Sequence, residues 1–133
     1  MANDIRWKQR FSNFQKAKKQ LDYAVCMDHY SDLERLGLIK CFEYTIELAW
    51  KTLQDLLAAK GYDSVKGPKP VVKQAFQDGY ITDGNAWIIM LDSRNETVHI
   101  YDEELAQKIA EEIINTFYPL LSALERRLLQ EKI

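Results

Sequence analysis

A cluster of polar side chains able to do chemistry lies between residues 91 and 101, outside the faces expected to be merely solvated. It contains Arg94, the histidine His99, which is one of only two in the chain, and Tyr101 two positions later. A histidine can accept a proton near neutral pH, and a guanidinium can grip a phosphate through two hydrogen bonds. Together they suffice for metal-free RNA cleavage, in which the histidine activates a ribose 2′-hydroxyl to attack the adjacent phosphorus.

Arg94 and His99 can act together only if the backbone turns between them. On an unbroken α-helix, residues five positions apart diverge by about 140°. Asp102 is a favourable N-cap for a following helix and therefore predicts a break in this region. On spacing alone we favour another interpretation, in which His99 compensates a helix dipole, Arg94 lies on the surface and Tyr101 bonds to the backbone.

The same stretch contains a Glu-x-x-His pair, Glu96 and His99, of the kind that faces inward in di-iron carboxylate bundles. Such sites need the pair twice and two further glutamates, whereas the other histidine, His29, has only Cys26 three residues before it. We therefore expect no iron or zinc site. The chain has no glycine-rich phosphate loop, and we expect no cofactor. It also has no Gly-x-Ser-x-Gly motif that would suggest acyl chemistry.

Helical periodicity predicts the elements that position this stretch. The first helix has a stripe spaced by three and four residues, namely Trp7, Phe11, Phe14, Lys18, Leu21 and Val25. Ser31 to Glu34 reads as a capping box, so a second helix starts there and continues to Lys60-Gly61. Its stripe comprises Leu33, Leu36, Ile39, Phe42, Ile46, Ala49, Trp50, Leu53 and Leu57. Glu43, Glu47 and Lys51 share a face and predict an exposed ladder of ion pairs.

The second half of the chain is more interrupted. Residues 61–70 hold two glycines and two prolines and predict a loop, followed by a short helix over residues 71–77. Asp83 is the expected cap of a further helix, whose apolar positions are Trp87, Leu91 and Val98. Asp102 caps the last helix, in which Pro119 predicts a kink. The stripe of that helix is Leu105, Ile109, Ile113, Thr116, Leu120, Leu124 and Leu128.

These elements predict an all-α fold, an up-down-up-down four-helix bundle with a broken third helix. A length of 133 residues suits one domain, so we expect a single domain over residues 1–133. The formal net charge of −2 argues against coating nucleic acid by bulk positive charge, so any RNA or nucleotide contact has to be local. Cys26 and Cys41 form no Cys-x-x-Cys pair, and neither a membrane-spanning run nor a signal-peptide core is visible. We therefore expect a cytoplasmic protein without a membrane partner.

Two stretches resemble a known family. The pattern Arg94-Asn95-x-x-x-His99-x-Tyr101 is similar to the R-x4-6-H motif of the HEPN superfamily, in which a polar residue follows the arginine. Residues 42–51 (FEYTIELAWK) and 91–101 (LDSRNETVHIY), in this order, resemble the HepT-like family, whose members are known as nucleotidyltransferase substrate-binding proteins. The resemblance spans nearly the whole chain, and the four motif positions show no departure from the family pattern.

The resemblance implies a homodimer of four-helix bundles, in which the two motifs face each other across a cleft. It also implies a partner, a minimal nucleotidyltransferase encoded beside this chain. In the toxin–antitoxin branch the HEPN protein is an RNase toxin, and the partner silences it by transferring AMP to the motif tyrosine, here Tyr101. The added bulk and negative charge should exclude RNA from the site.

Three function classes stay open. The first is an RNase toxin in which His99 is the general base, Arg94 clamps the scissile phosphate and Asn95 orients the substrate. The second is a non-catalytic companion that binds a nucleotide or substrate for the nucleotidyltransferase, and the third is a helical dimerisation module without chemistry. The complete motif favours the RNase, whereas the acidic balance counts against it. A surface for a second subunit is suggested by an excess of aromatic residues: Trp7, Trp50, Trp87, Phe76, Tyr80 and Phe117.

Overall fold

A computed structural model describes residues 2–131, and within that range every regular element is helical. The elements are α1 (Ala2–Ala24), α2 (Asp32–Ala59), α3 (Pro68–Gln77), α4 (Gly84–Glu96), a 3₁₀ turn (Thr97–His99), α5 (Glu103–Glu112), a π-helical turn (Ile113–Phe117) and α6 (Tyr118–Leu129). The all-α bundle is confirmed, with α3 and α4 as the two pieces of the broken third helix. None of these described helices combines the length and the hydropathy that crossing a bilayer requires.

α2 is the central helix of the bundle, because it packs against every other helix of the described chain. Its partner α1 runs antiparallel to it, as two side-chain pairs demonstrate. Arg10 pairs with Asp55 near one end of the two helices, and the Tyr44 hydroxyl donates to Oε1 of Gln20 nearer the other end. α2 therefore supplies the platform on which the second half of the chain is placed.

The predicted helix starts are confirmed by their caps. The hydroxyl of Ser31 accepts from the backbone N–H of Glu34, and the Glu34 carboxylate accepts in return from the N–H of Ser31. Asp83 accepts from the N–H of residue 86 at 3.0 Å, and Asp102 accepts from the N–H groups of residues 104 and 105. Each cap satisfies N–H groups that the first turn of a helix leaves without a partner.

The short helix α3 starts at Pro68, three residues earlier than the sequence predicted. Both prolines of this segment, Pro68 and Pro70, fall in the first turn, where the missing N–H would have no intrahelical partner anyway. Gly67 precedes them with φ of 89°, a backbone conformation that favours glycine. Its N–H donates to Oε1 of Gln54 on α2 at 2.8 Å, so the loop is anchored to the central helix.

Three apolar residues predicted to lie in the core are exposed instead. Leu33 and Leu36 stand in the first turns of α2, and Leu36 lines an open groove together with Tyr101 rather than packing against α1. Val98 belongs to the 3₁₀ turn, whose tighter period rotates it outward and leaves Thr97 as the buried residue. The apolar stripes therefore predict burial wrongly at the ends of helices, where the helical period changes or no neighbouring helix covers the side chain.

The last helix is continuous but contains a π-helical turn just before Pro119. The N–H of Tyr118 donates to the carbonyl of Ile113, five residues back, so this turn holds one extra residue. The extra residue shifts the buried face by one position. Thr116, predicted to be buried, is therefore exposed, and Phe117 and Leu121 occupy the core, while Leu120 is only partly buried. The proline removes one N–H from the helix at this point, which favours such a distortion.

The aromatic residues that suggested a second subunit are mostly accounted for within one chain. Trp7, Trp87, Phe117 and Tyr80 are buried in the core, and Trp50 packs partly against it. Only Phe76 of that group is strongly exposed. The excess of aromatic residues is therefore a wrong basis for expecting a dimer, and homodimerisation itself stays a prediction.

Candidate functional site

The predicted break between Arg94 and His99 is present. α4 ends at Glu96, where the carbonyl of Arg94 accepts from both the N–H and the hydroxyl of Thr97, the latter at 2.7 Å. The 3₁₀ turn follows, and the carbonyl of His99 accepts from the N–H of Asp102 at 3.0 Å. Asp102 then caps α5. The buried Thr97 thus marks the end of α4, and Asp102 caps the start of α5. The motif lies at the junction between these two helices.

His99 is the last residue of the 3₁₀ turn, and its imidazole is exposed. The hydroxyl of Tyr101 lies 3.4 Å from Nδ1 of His99, and the two rings meet edge to face with centroids 6.1 Å apart. Tyr101 is itself 84% exposed, so the pair projects from the surface. The structure therefore brings together two of the residues that the sequence selected.

Arg94 is directed toward α2 instead. Its Nε lies 3.5 Å from Oε1 of Glu47, an ion-pair contact that does not meet hydrogen-bond geometry. The Nε atom is buried, although the side chain as a whole is 28% exposed. Within residues 4–131 no hydrogen bond joins Arg94 to His99, so their convergence on one substrate stays a prediction.

The remaining polar residues of the stretch have separate surroundings. Asn95 is exposed on the last turn of α4, and its predicted role as an orienting residue is not decided by any contact. Asp92, one turn earlier, forms an ion pair of 3.2 Å with Lys69 on α3. This pair ties α3 to α4 beside Arg94.

An open groove of about 510 Å³ lies beside Tyr101, between the first half of α2 and the start of α5. Its wall includes Leu36, two cations and three carboxylates. Arg35 pairs with Asp32 at 3.2 Å and Lys40 pairs with Glu43 at 3.4 Å. Glu43 stands one helical turn before Glu47, and residues four apart are neighbours on a helix surface. The groove and the Arg94 contact are therefore adjacent along the same face of α2.

Glu47 is the residue of this site that the sequence interpretation missed. The spacing of Glu43, Glu47 and Lys51 predicted an exposed ladder on α2, of which the structure has only the contact between Glu47 and Lys51 at 3.8 Å. The three side chains are partly buried, and Glu43 pairs with Lys40 instead. The additional contact with Arg94 joins residues that are distant in the chain. Its signal was the position of Glu47 inside residues 42–51, one of the two stretches on which the family resemblance rests.

Tyr44 lies in the same stretch of α2 but differs from Tyr101 in its surroundings. Burial first, and then its hydrogen bond with Cys41, raise the pKa of Tyr44 to about 12. Its hydroxyl also donates to Gln20 on α1. Tyr101 differs from Tyr44 because its side chain is exposed to solvent and its hydroxyl lies next to Nδ1 of His99.

Potential metal ligands are dispersed in the described part of the chain. Among residues 2–131, no three histidine, cysteine, aspartate or glutamate side chains come close enough to hold a metal ion. Cys26 and Cys41 are both free thiols.

Comparison with known proteins gives a match over most of the chain. Residues 9–130 match the model of the family described as nucleotidyltransferase substrate binding protein like. A curated protein of Haemophilus influenzae, named as a probable ribonuclease HepT, is 31% identical over 81 residues. The matched segment covers 58% of this chain and 56% of that protein, so the chain spans about half the length of this curated relative.

Two solved structures have the same fold. A protein of Thermus thermophilus superposes with a TM-score of 0.80 at 32% sequence identity, over 86% of this chain and 98% of that one. A Haemophilus influenzae protein superposes with a TM-score of 0.70 at 25% identity, over 95% of this chain and 98% of that one. The second structure was described as the fold of a substrate binding domain of a nucleotidyltransferase.

Proposed function

Because the chain belongs to the nucleotidyltransferase substrate-binding, HepT-like family, we propose that it is the HEPN-type component of a two-gene module with a minimal nucleotidyltransferase. In this proposal it is a metal-independent RNase toxin that uses Arg94 and His99 and is silenced by AMP transfer to Tyr101. The observation that carries the proposal is the exposed His99 imidazole, 3.4 Å from the Tyr101 hydroxyl, at the helix break that follows Glu96.

His99 is assigned the proton transfer. As general base it removes the proton of a ribose 2′-hydroxyl, and the 2′-oxygen attacks the adjacent phosphorus. The bond from phosphorus to the 5′-oxygen of the next nucleotide breaks, which leaves a 2′,3′-cyclic phosphate and an alkoxide that takes up a proton. Arg94 stabilises the negative charge that develops on the phosphoryl oxygens, and Asn95 orients the substrate.

The contact with Tyr101 is compatible with Nε2 of His99 serving as the base. When Nδ1 carries the hydrogen and donates to the hydroxyl oxygen of Tyr101, the lone pair of Nε2 is free to accept a proton. Transfer of AMP to the tyrosine turns that oxygen into a phosphate ester. The ester oxygen is a poorer acceptor, and the added phosphate places bulk and negative charge beside the site.

Tyr101 suits group transfer because its hydroxyl is accessible. Its phenolic oxygen would attack the α-phosphorus of ATP, and pyrophosphate would leave as the new bond forms. Tyr44 is a poor acceptor in comparison, since its hydroxyl is already bonded to Cys41 and to Gln20 on α1.

A non-catalytic companion that binds a nucleotide or substrate for the nucleotidyltransferase is the second candidate. The groove of about 510 Å³ supports it, because Leu36 and Tyr101 offer apolar and aromatic surface for a base. A phosphate there would have to displace the ion pairs that Arg35 and Lys40 form with Asp32 and Glu43. The description of the related Haemophilus influenzae fold as a substrate binding domain points the same way.

We also propose that the functional unit is a homodimer. The supporting observation is the set of exposed apolar side chains around the motif, which comprises Leu33, Leu36 and Val98. A second subunit that covers them would bring two motifs to one cleft.

Incubation of purified protein with RNA in excess EDTA tests the catalytic proposal. We expect cleavage that survives chelation and that Arg94→Ala and His99→Ala abolish, while the thermal unfolding of both variants stays close to that of the parent. His29→Ala is the matched control, because it removes the other exposed histidine of the chain. Absence of cleavage at every enzyme concentration, together with tight nucleotide binding, would replace the RNase by the companion.

A further inference from the structure

Glu47 connects the candidate arginine to the central helix. Oε1 of Glu47 lies 3.5 Å from Nε of Arg94, and Oε2 lies 3.8 Å from the ammonium of Lys51. Each carboxylate oxygen therefore faces a different cation. We infer that Glu47 is a positioning residue for the Arg94 guanidinium, an inference that rests on the proposed function of this site.

Lys51 gives the Glu47 carboxylate a second contact. Lys51 lies one turn after Glu47 on α2, and its ammonium is 5.8 Å from the centre of the Trp50 ring. A cation near an aromatic face gains electrostatic attraction there. Because the Glu47 carboxylate already contacts Lys51 on the same helix, it loses less conformational freedom when it also contacts Arg94.

The edge of the guanidinium that Glu47 occupies matters for phosphate binding. A guanidinium carries five N–H donors in a planar fork, and the single Nε–H is the donor nearest the aliphatic stem. A carboxylate at Nε leaves the two terminal amino groups for another ligand. Those groups can grip a phosphate through two parallel hydrogen bonds, which the proposed role of Arg94 requires.

A purely electrostatic role for Glu47 predicts a different result from a positioning role. Its negative charge lies close to the proposed phosphate site, so removing it should strengthen attraction of RNA. Loss of positioning should instead slow the chemical step, because a guanidinium with more freedom is less often in the productive geometry. The two roles therefore change KM and kcat in different ways.

The experiment compares Glu47→Gln, which keeps the shape of the side chain, with Glu111→Gln, which removes the same charge from an exposed site on α5. For Glu47→Gln we expect kcat for RNA cleavage to fall by about 10–100-fold, as for residues that orient a functional group. KM should stay constant or decrease, and Glu111→Gln should match the parent in both constants. In an Arg94→Lys background, Glu47→Gln should cause no further loss, because the guanidinium to be positioned is gone.

The second measurement does not depend on activity. We expect the Nε–H resonance of Arg94 in a ¹⁵N NMR spectrum to be protected from solvent exchange in the parent and in Glu111→Gln, and to lose that protection in Glu47→Gln. Should Glu47→Gln fail to fold, Lys51→Met tests the same link by freeing Oε2, and a faster Nε–H exchange is expected.

Unchanged kcat and unchanged Nε–H exchange in Glu47→Gln would overturn the inference. A kcat that rises as KM falls would also overturn it, in favour of simple electrostatic repulsion of RNA. If the parent protein cleaves no RNA, the catalytic proposal fails. Nε–H exchange then decides separately whether Glu47 positions Arg94.

Discussion

The hydroxyl of Tyr118 donates a hydrogen bond of 2.6 Å to Oδ1 of Asp22, across the interface between α6 and α1. The ammonium of Lys18 is buried beside this bond, 2.7 Å from the same oxygen, and Glu125 lies 3.5 Å from the ammonium. Burial by itself would lower the pKa of Lys18, but the hydrogen bond with Asp22 and the neighbouring negative charges raise it above its ordinary value of 10.5. The lysine is therefore charged inside the bundle.

Replacing Lys18 with methionine should destabilise the protein. The substitution keeps most of the apolar stem but leaves Asp22 and Glu125 without their cation, so we expect the free energy of unfolding to fall by about 1–3 kcal/mol. Urea denaturation measures this change. Lys19→Met removes the same charge from an exposed neighbour and should change stability by less than about 0.5 kcal/mol. Equal effects of the two substitutions would refute the role of the buried group.

The π-helical turn can be tested through two adjacent residues. Phe117 is buried and its ring stacks on Phe42 with centroids 5.4 Å apart, whereas Thr116 is exposed. We expect Phe117→Ala to cost about 3–5 kcal/mol of unfolding free energy and Thr116→Ala less than about 0.5 kcal/mol. Thermal and chemical denaturation give both values. A regular α-helix would bury Thr116 instead, so a larger loss at that position would contradict the π turn.

Tyr101 should have two roles, contact with His99 and acceptance of AMP. The substitution Tyr101→Phe tests both without disturbing the fold. Because Tyr101→Phe removes the hydroxyl near Nδ1 of His99, we expect RNA cleavage to fall by about 10-fold with an unchanged melting temperature. The variant should also accept no AMP when it is co-expressed with the neighbouring nucleotidyltransferase, as mass spectrometry of tryptic peptides can show. Tyr23, which is also strongly exposed, provides the control substitution Tyr23→Phe. Full modification of the Tyr101→Phe protein would rule out Tyr101 as the acceptor.

Stability should depend on pH through Glu131. Its carboxylate accepts from Lys60, the residue that follows α2, and from Arg127 on α6, both at 2.9 Å. Burial would raise the pKa of Glu131, but these two cations outweigh burial and lower it below its ordinary value of 4.5. The folded chain therefore binds this proton more weakly than the unfolded chain. The stabilisation is present above about pH 4.5 and is lost as the pH falls through the folded-state pKa.

Urea midpoints measured between about pH 3 and pH 7 test this dependence. We expect Glu131→Gln to lower the midpoint at neutral pH and to flatten its decline in acid, while Glu111→Gln leaves the profile unchanged. Parallel profiles for the parent and Glu131→Gln would show that the ion pairs make no contribution.

Sequence patterns located the helices well because their signals are local. The caps at Ser31, Asp83 and Asp102 bond to N–H groups within three residues, and each was predicted at the residue where it is found. The central apolar stripes were confirmed for the same reason, since a helical period needs only neighbours in the chain. The start of α3 and the ends of the stripes were less accurate, because there the period stops.

The sequence itself determined the helical architecture and which residue types the helix break carries: an arginine, a histidine and a tyrosine in fixed order. Only the tertiary structure decided the partner of Arg94, which lies against Glu47 on another helix. The contact of His99 with Tyr101 is local and accompanies the 3₁₀ turn. The burial of Lys18 likewise depends on how α6 packs against α1. Spacing fixes directions around one helix axis, whereas contacts between helices depend on packing that no local pattern contains.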